Sequence, residues 1–357
     1  MEYRQLGRSG LKISLHTLGT MNFATEGAFF NMAGHVNQKD AARLVDVAVD
    51  HGVNMLDTSN AYSRGRSEEA IGEILKGRSD QLMVGTKVRF GMGDGPNEQG
   101  LSRFHIIHEC EASLKRLKRD HIDLYFLHEW DGMTPVEEMM SALNTLVEHG
   151  KVRYVGCSNF SGWHIMKCMM AADRHNFQKF VCQQIHYTPE AREAEYELMP
   201  IAVDQGVGIQ IWSPIAGGLL SGKFRKGKPD PKVSRHIEGW GEPPIYDQER
   251  LYRIIEVLVK VGEAHGVSAA QVTLAWLATR PGVSSLIVGA RNEVQLKDSL
   301  ASESLKLTAE DISAIDDAGR PNQPYPYWHQ CWSAGDRLGS ADLTMQRAFL
   351  ANRPKRT

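Results

Sequence analysis

The chain is short of cysteine, of net charge and of long apolar runs, and each shortage argues against a class of function. Its 357 residues include five cysteines, at positions 110, 157, 168, 182 and 331, an odd number with no Cys-x-x-Cys pair. That pattern argues against a disulfide scaffold or a zinc site and favours reduced thiols in a cytoplasmic protein. A formal net charge of -2 gives no electrostatic reason to expect nucleic acid or an anionic membrane as partner. The first residues, Met1-Glu2-Tyr3-Arg4-Gln5-Leu6, contain no apolar signal core, and no stretch approaches the ~20 apolar residues of a membrane span. No linker, low-complexity tract or charge block divides the chain, so residues 1–357 read as one domain.

What is present is regular alternation. A composition of 42% hydrophobic and 24% charged residues suits a sizeable core, and a closed α/β barrel needs only ~250 residues plus insertions. Strand-like runs fall at residues 15–19, 53–57, 82–86, 122–127, 152–157, 180–185, 207–211 and 285–288. Helical spacing fills the gaps at 38–51, 67–75, 102–117, 135–150, 162–176, 193–205, 248–265, 268–279 and 293–302. Ser67 is expected to cap the second of these helices. Eight βα alternations point to a parallel (β/α)8 TIM barrel, with a doubly wound open sheet as the rival that periodicity alone does not exclude. Residues 3–14, with Gly7 and Gly10, suggest an N-terminal hairpin capping the barrel's bottom. The extended C-terminal tail, 320–357, is rich in proline, tyrosine and tryptophan and is expected over the mouth.

Four polar residues sit at or just past strand ends: Asp57, Tyr62, Lys87 and His128. Chemistry collected at the C-terminal ends of strands is the arrangement of barrel enzymes. A phenol with a pKa of ~10 is a poor acid at neutral pH. An ammonium ~4 Å away at an effective dielectric near 20 favours the phenolate by ~4 kcal/mol, roughly three pK units. Lys87 would be that ammonium, Asp57 would hold it charged, and His128 would steer a carbonyl. Taken singly, each has a plainer reading: a strand-end cap, a solvated lysine, a packed tyrosine, a structural histidine. Four coincident strand ends favour function, namely reduction of a ketone or aldehyde once hydride is delivered.

These motifs resemble the aldo-keto reductase superfamily. Asp57-Thr58-Ser59-Asn60-Ala61-Tyr62, followed by Gly65, Ser67, Glu68 and Gly72, resembles its first signature. Val84-Gly85-Thr86-Lys87 and Leu127-His128 supply two further motifs, and Gly156-Cys157-Ser158-Asn159-Phe160 resembles its serine–asparagine motif. The resemblance spans residues 3–320. It implies Tyr62 as general acid/base, Lys87 and Asp57 as its tuning partners and His128 as the orienting group. It implies that NADPH, rather than NADH, is the cofactor and that no metal is needed. Ser158, Asn159 and Gln184 would hold the nicotinamide carboxamide, and Trp212 would stack on the ring where the family usually has tyrosine. Gly19, Thr20 and Met21 would line the cofactor at the first strand end.

Residues 213–223, including Ser213, Ile215, Gly217 and Lys223, resemble the family's phosphate-side loop. The stretch is also a near miss for a nucleotide-triphosphate loop, but Phe224 stands where that motif needs Ser or Thr, and a seventh strand precedes it. Gly289, Ala290, Arg291, Gln295, Asp298 and Ser299 resemble the adenosine-phosphate segment, with Arg291 as partner for a 2′-phosphate. The family commonly has Glu and Asn where this chain has Asp298 and Ser299. Phe23, Phe90, Trp130 and Trp240 are expected on the substrate rim, although aromatics in loops more often pack than touch ligand. The tail resembles that of a bacterial subgroup acting on sugar-like and toxin-derived ketones. The expected partner is a small carbonyl compound and the expected assembly a monomer or small homo-oligomer. A cofactor-binding regulatory subunit, similar to potassium-channel barrel subunits, and catabolic alcohol oxidation are the alternatives.

Overall fold

Short apolar runs form eight parallel strands in a computed structural model, which describes residues 1–350 apart from 33, 79–81, 232 and 233. They are β1 His16–Gly19, β2 Met55–Asp57, β3 Met83–Val88, β4 Ile122–Leu127, β5 Val152–Ser158, β6 Cys182–His186, β7 Gly208–Trp212 and β8 Val283–Val288. Each pairs with its neighbour in chain order, and β8 pairs with both β7 and β1, so the sheet closes into a barrel. Closure excludes the open doubly wound sheet. Because helices cover the outside, β3, β4 and β8 are buried along their whole length.

Pleating then decides where the polar strand ends point. Met55, Met83, Leu124, Phe126 and Cys182 form one apolar cluster inside the barrel. Two residues on from members of this interior set lie Asp57, Gly85, His128 and Gln184, and Lys87 follows two after Gly85. Alternation therefore turns these side chains toward the barrel axis, at its C-terminal mouth. Gly85 keeps this layer open, since a Cβ there would lie 2.8 Å from the Met55 methyl.

The hairpin closes the opposite end. Tyr3–Gln5 pairs antiparallel with Lys12–Ser14, and Leu6 and Ile13 join the interior cluster from below. Gly7, at φ +59, sits where a Cβ would meet the Gly206 carbonyl oxygen at 2.4 Å and the Gly208 nitrogen at 2.6 Å. Only glycine permits that approach. No helix among the described residues is long and apolar enough to cross a membrane.

Helix starts follow local chemistry. Asn37, Ser102, Asp247, Ser268, Asn292 and Thr308 each accept a backbone N–H in the first turn, an interaction worth about 1 kcal/mol per helix. Three expectations need correction. Ser67 does not cap its helix: Arg66–Ile74 starts after Gly65, and the Ser67 hydroxyl donates to the Thr20 carbonyl at 2.9 Å. The helix expected over 193–205 is a 3₁₀ turn, Glu193–Glu195, and a separate helix, Leu198–Gln205. Pro200 forces that break, because proline is tolerated only in a first turn.

The tail is the third correction. Its helix Leu343–Leu350 packs on Leu198–Gln205 rather than across the mouth, and Tyr327–Ser333 packs on Leu343–Leu350. Tyr327 stacks on Tyr196 at 6.0 Å, and the Tyr196 hydroxyl donates to the Asn322 carbonyl at 2.9 Å. The aromatic residues thus find a partner on the barrel's flank, while Tyr325, Trp328 and Trp332 stay exposed.

One packing contact can be tested. A Cβ on Gly72 would meet the Arg116 carbonyl oxygen at 2.3 Å, whereas one on Gly10 would meet nothing within 4 Å. Gly72→Ala is expected to destabilise by ~1–3 kcal/mol through overpacking, and Gly10→Ala to stay within ~0.5 kcal/mol. Urea unfolding of the two variants measures the difference.

Candidate active site

The eight strand ends surround a cavity of about 1300 Å³. It exceeds the ~300–1,000 Å³ of ordinary small-molecule pockets and would hold a dinucleotide with a small substrate. Lys87, on β3, is fully buried near its floor. Its Nζ donates to Asp57 Oδ1 at 2.6 Å, to the Thr58 carbonyl at 2.8 Å and to the Tyr62 hydroxyl at 3.4 Å. The three ammonium protons thus have three acceptors. Asp57 Oδ2 accepts from Gln184 Nε2 at 2.8 Å, so β2, β3 and β6 meet at one carboxylate.

Lys87 lies inside its strand rather than just past the end, since β3 runs on to Val88. Burial alone would lower its pKa, but Asp57 and then Tyr62 more than reverse this and hold it raised. The Tyr62 phenol moves opposite to the sequence-based expectation. Burial, the larger influence, pushes it above its ordinary value, and Lys87 only partly offsets that. The Coulomb arithmetic had the pair right and omitted desolvation.

His128 is held well below the ordinary histidine range, by burial first and by the Lys87 charge second, so the ring is neutral at pH 7. Its Nδ1 lies 3.1 Å from Ser59 Oγ, which already accepts the Ala61 N–H at 3.2 Å. Ser59 Oγ retains one hydroxyl proton, which it can donate to Nδ1. The remaining proton is then assigned to Nε2, the tautomer that can donate to a carbonyl oxygen. Sequence reasoning missed Ser59, although it lies within the quoted signature.

A second arc faces these groups. Ser158, Asn159, Gln184 and Trp212 line the cavity, as expected. The Trp212 indole N–H donates to Asn159 Oδ1 at 3.0 Å, and Asn159 Nδ2 donates to the His128 carbonyl at 3.1 Å. Tryptophan in place of tyrosine thus gains a bond that fixes the asparagine. Behind it, His186 packs against the Trp212 ring at 4.5 Å, its pKa lowered by burial to about 4.

Gly19, Thr20 and Met21 line the cavity, as do Ser213, Ile215, Gly217, Lys223, Gly289, Ala290, Arg291, Gln295, Asp298 and Ser299. Ser213, Ala216, Gly217 and Gly218 all have positive φ, a backbone that turns amide groups toward an anion. Arg291 is engaged by Glu238, its Nη2 2.8 Å from Oε2. Asp298 accepts from Ser268 Oγ at 2.8 Å and Gln271 Nε2 at 2.7 Å. Arg235, which the sequence reading missed, also lines the cavity; it lies between the two ends and carries charge felt by both Tyr62 and Arg291. Nothing in its irregular loop marks it beforehand.

Two of the four expected rim aromatics are displaced. Phe23 is fully buried, pinned by bridge pairing with Val36. Trp130 turns away from the cavity and stacks on His164 at 3.8 Å, edge-on to Phe160. Each finds more apolar contact in the loop core than at the mouth. Phe90 and Trp240 do line the cavity, and the Phe90 ring lies 4.8 Å from that of His128.

The Aldo/keto reductase family model matches residues 17–320. The chain belongs to the aldo/keto reductase family. It is 36% identical over 328 residues to an uncharacterized oxidoreductase, YrpG, of Bacillus subtilis (strain 168), covering 89% of this chain and 95% of that protein. It is also 35% identical to a probable voltage-gated potassium channel subunit beta of Arabidopsis thaliana, over 84% of this chain and 90% of that one. A rice protein (Oryza sativa subsp. japonica) of the same description is 34% identical, with the same coverage. Family membership makes this an oxidoreductase fold that uses a nicotinamide cofactor. The cavity fits that group: the Ser158 hydroxyl is buried without a protein partner among the described residues, where a carboxamide would satisfy it.

In this aldo/keto reductase a buried polar network backs the Tyr62 loop. Thr86, beside Lys87, donates to Glu68 Oε1 at 2.5 Å, and Arg116 Nε donates to Glu68 Oε2 at 2.6 Å. Arg116 also reaches Glu109 Oε2 at 3.3 Å, which accepts from Asn60 Nδ2 at 3.0 Å. Tyr62 is followed by Ser63, Arg64 and Gly65, all at positive φ, so the loop is strained and depends on this support. Arg116→Met would leave Glu68 buried without its cation. It is expected to cost ~3 kcal/mol of stability and to lower kcat for nicotinamide-dependent turnover several-fold while cofactor affinity stays near wild type. Unfolding and steady-state kinetics of the variant measure both.

Proposed function

We propose that this protein is an NADPH-dependent carbonyl reductase that converts a ketone or aldehyde to an alcohol, with Tyr62 as general acid. The observation that carries the reading is the Tyr62 hydroxyl, 3.4 Å from the Lys87 ammonium in the same cavity as a neutral His128. Ser158, Asn159, Gln184 and Trp212 would hold the nicotinamide. Ser213, Ile215, Gly217, Lys223 and Arg235 would hold the pyrophosphate, and Gly289, Ala290, Arg291, Gln295, Asp298 and Ser299 the adenosine phosphate. When bound, NADPH supplies the hydride.

The chain's own residues manage the proton. His128, donating from Nε2, orients the carbonyl oxygen toward Tyr62. The raised phenol pKa keeps the proton on Tyr62 until charge develops on that oxygen. Once the proton has moved, the phenolate faces Lys87, an interaction worth ~4 kcal/mol at an effective dielectric near 20. Asp57 and Gln184 hold the ammonium in place, and the reverse sequence would oxidise an alcohol. Arg291 would recognise the 2′-phosphate, sharing its guanidinium with Glu238, and so favour NADPH over NADH.

A second reading has one specific support, the likeness to potassium channel beta subunits. On that reading the cofactor site serves regulation by docking, and turnover is slow with every carbonyl.

Tyr62→Phe is expected to lower carbonyl-dependent NADPH oxidation at least a thousandfold while leaving NADPH binding, followed by fluorescence, within a few-fold. Wild-type-like turnover would remove Tyr62 from its role. Because Tyr62 acts protonated and its pKa is raised, kcat for reduction should be level through neutral pH and fall only as pH rises beyond ~10. A profile that falls between pH 7 and 8 contradicts the assignment. Arg291→Ala should narrow the NADPH-to-NADH ratio of kcat/KM by ~10-fold or more, the scale of a charged hydrogen bond.

A further inference from the structure

The cavity wall beside His128 carries a carboxylate that the proton-transfer scheme does not use. Glu129 follows His128 directly, is half-buried and lines the cavity. Its Oε1 accepts the Trp130 backbone N–H at 3.2 Å, and among the described residues no cation lies within ion-pair reach of it. Burial raises its carboxyl above the ordinary range; the Trp130 N–H and Arg89 oppose this, and Glu242 adds to it. Glu242 and Arg64 line the same cavity, together with the aromatic pair Phe90 and Trp240.

We propose that Glu129 is a specificity-determining residue: it selects carbonyl substrates that carry a hydroxyl near the reacting carbon and turns away those that carry a carboxylate there. The proposal rests on the reductase reading above. An ionised carboxylate only accepts hydrogen bonds, so its unused lone pairs call for a donor on the substrate. A substrate carboxylate at the same place would meet a like charge with no ion-paired cation to relieve it. A substrate ammonium is the other candidate donor. Burying its full charge in the cavity costs far more desolvation than burying a neutral hydroxyl that donates to the same lone pair. The faces of Phe90 and Trp240 suit the apolar side of such a molecule. This ground for the substrate class is independent of the tail, which the fold places on the barrel's flank.

The test uses the full chain with NADPH and three size-matched aldehydes: 3-(hydroxymethyl)benzaldehyde, 3-ethylbenzaldehyde and 3-carboxybenzaldehyde. In the wild type, kcat/KM is expected highest for the hydroxymethyl compound and at least tenfold lower for the carboxy compound. Glu129→Gln keeps the size and removes the charge, and should narrow that ratio at least fivefold. NADPH fluorescence titration checks that the variant is folded, and Glu129→Ala is the substitute if it is not. A wild-type ratio below twofold, or a ratio left within twofold of wild type by both variants, overturns the role of Glu129 while the reductase reading stands. No reduction of any of the three by wild-type protein that binds NADPH overturns the reductase reading, and the proposal with it.

Discussion

One buried ammonium organises the mouth of this barrel. Lys87 Nζ and Asp57 Oδ1 lie 2.6 Å apart, and both side chains are almost completely withdrawn from solvent. Desolvating such a pair costs several kcal/mol per ion, and the attraction repays it only where further hydrogen bonds complete the geometry. Here the Thr58 carbonyl and the Gln184 amide complete it. The pair therefore does more than join two strands. Its charge helps keep His128 neutral and opposes the burial of the Tyr62 phenol, so two protonation states depend on one cation.

Holding that cation requires rigidity around it, and the neighbouring backbone is strained. Ser63, Arg64, Asn159, Ser213 and Ala216 have positive φ without being glycine, and all stand at or beside the cavity. Such conformations cost about 1–3 kcal/mol each and persist only where surrounding contacts overdetermine them. The contacts are visible in two places. The Glu68–Arg116–Glu109 network grips both Thr86 and Asn60, on either side of the Lys87–Tyr62 contact. On the far wall, Asn159 is held between the Trp212 indole and the His128 carbonyl.

The barrel was legible because its strands are covered on both sides. Ile122–Leu127 is bounded as its apolar run predicts, and the ends of the other strands shift by one or two residues. The candidate site was legible because signature residues at strand ends inherit their direction from the pleat. Loop residues inherit no such direction. Phe23 and Trp130 look like rim aromatics in sequence, yet their neighbours in the loop core claim them. Arg235 reaches the cavity from a segment with no periodicity to read, and the tail's Tyr327 stacks on Tyr196, which carries no mark of that partnership.

The Tyr62 pKa is the most instructive disagreement, because its corrected direction suits the proposed chemistry better. A phenol brought below its ordinary pKa by Lys87 would be partly ionised before any substrate charge appeared, and an ionised phenol has no proton to give. Burial outweighs the ammonium in the ground state and keeps the proton on the oxygen. On the proposed mechanism, when a carbonyl oxygen gained negative charge beside it, the proton would leave a phenolate already facing a cation. Lys87 then contributes most when charge develops and least before, which is the condition for an interaction to accelerate a reaction rather than merely tighten binding. Desolvation and the ammonium are thus parts of one device: the first holds the proton, and the second stabilises the site once it has left.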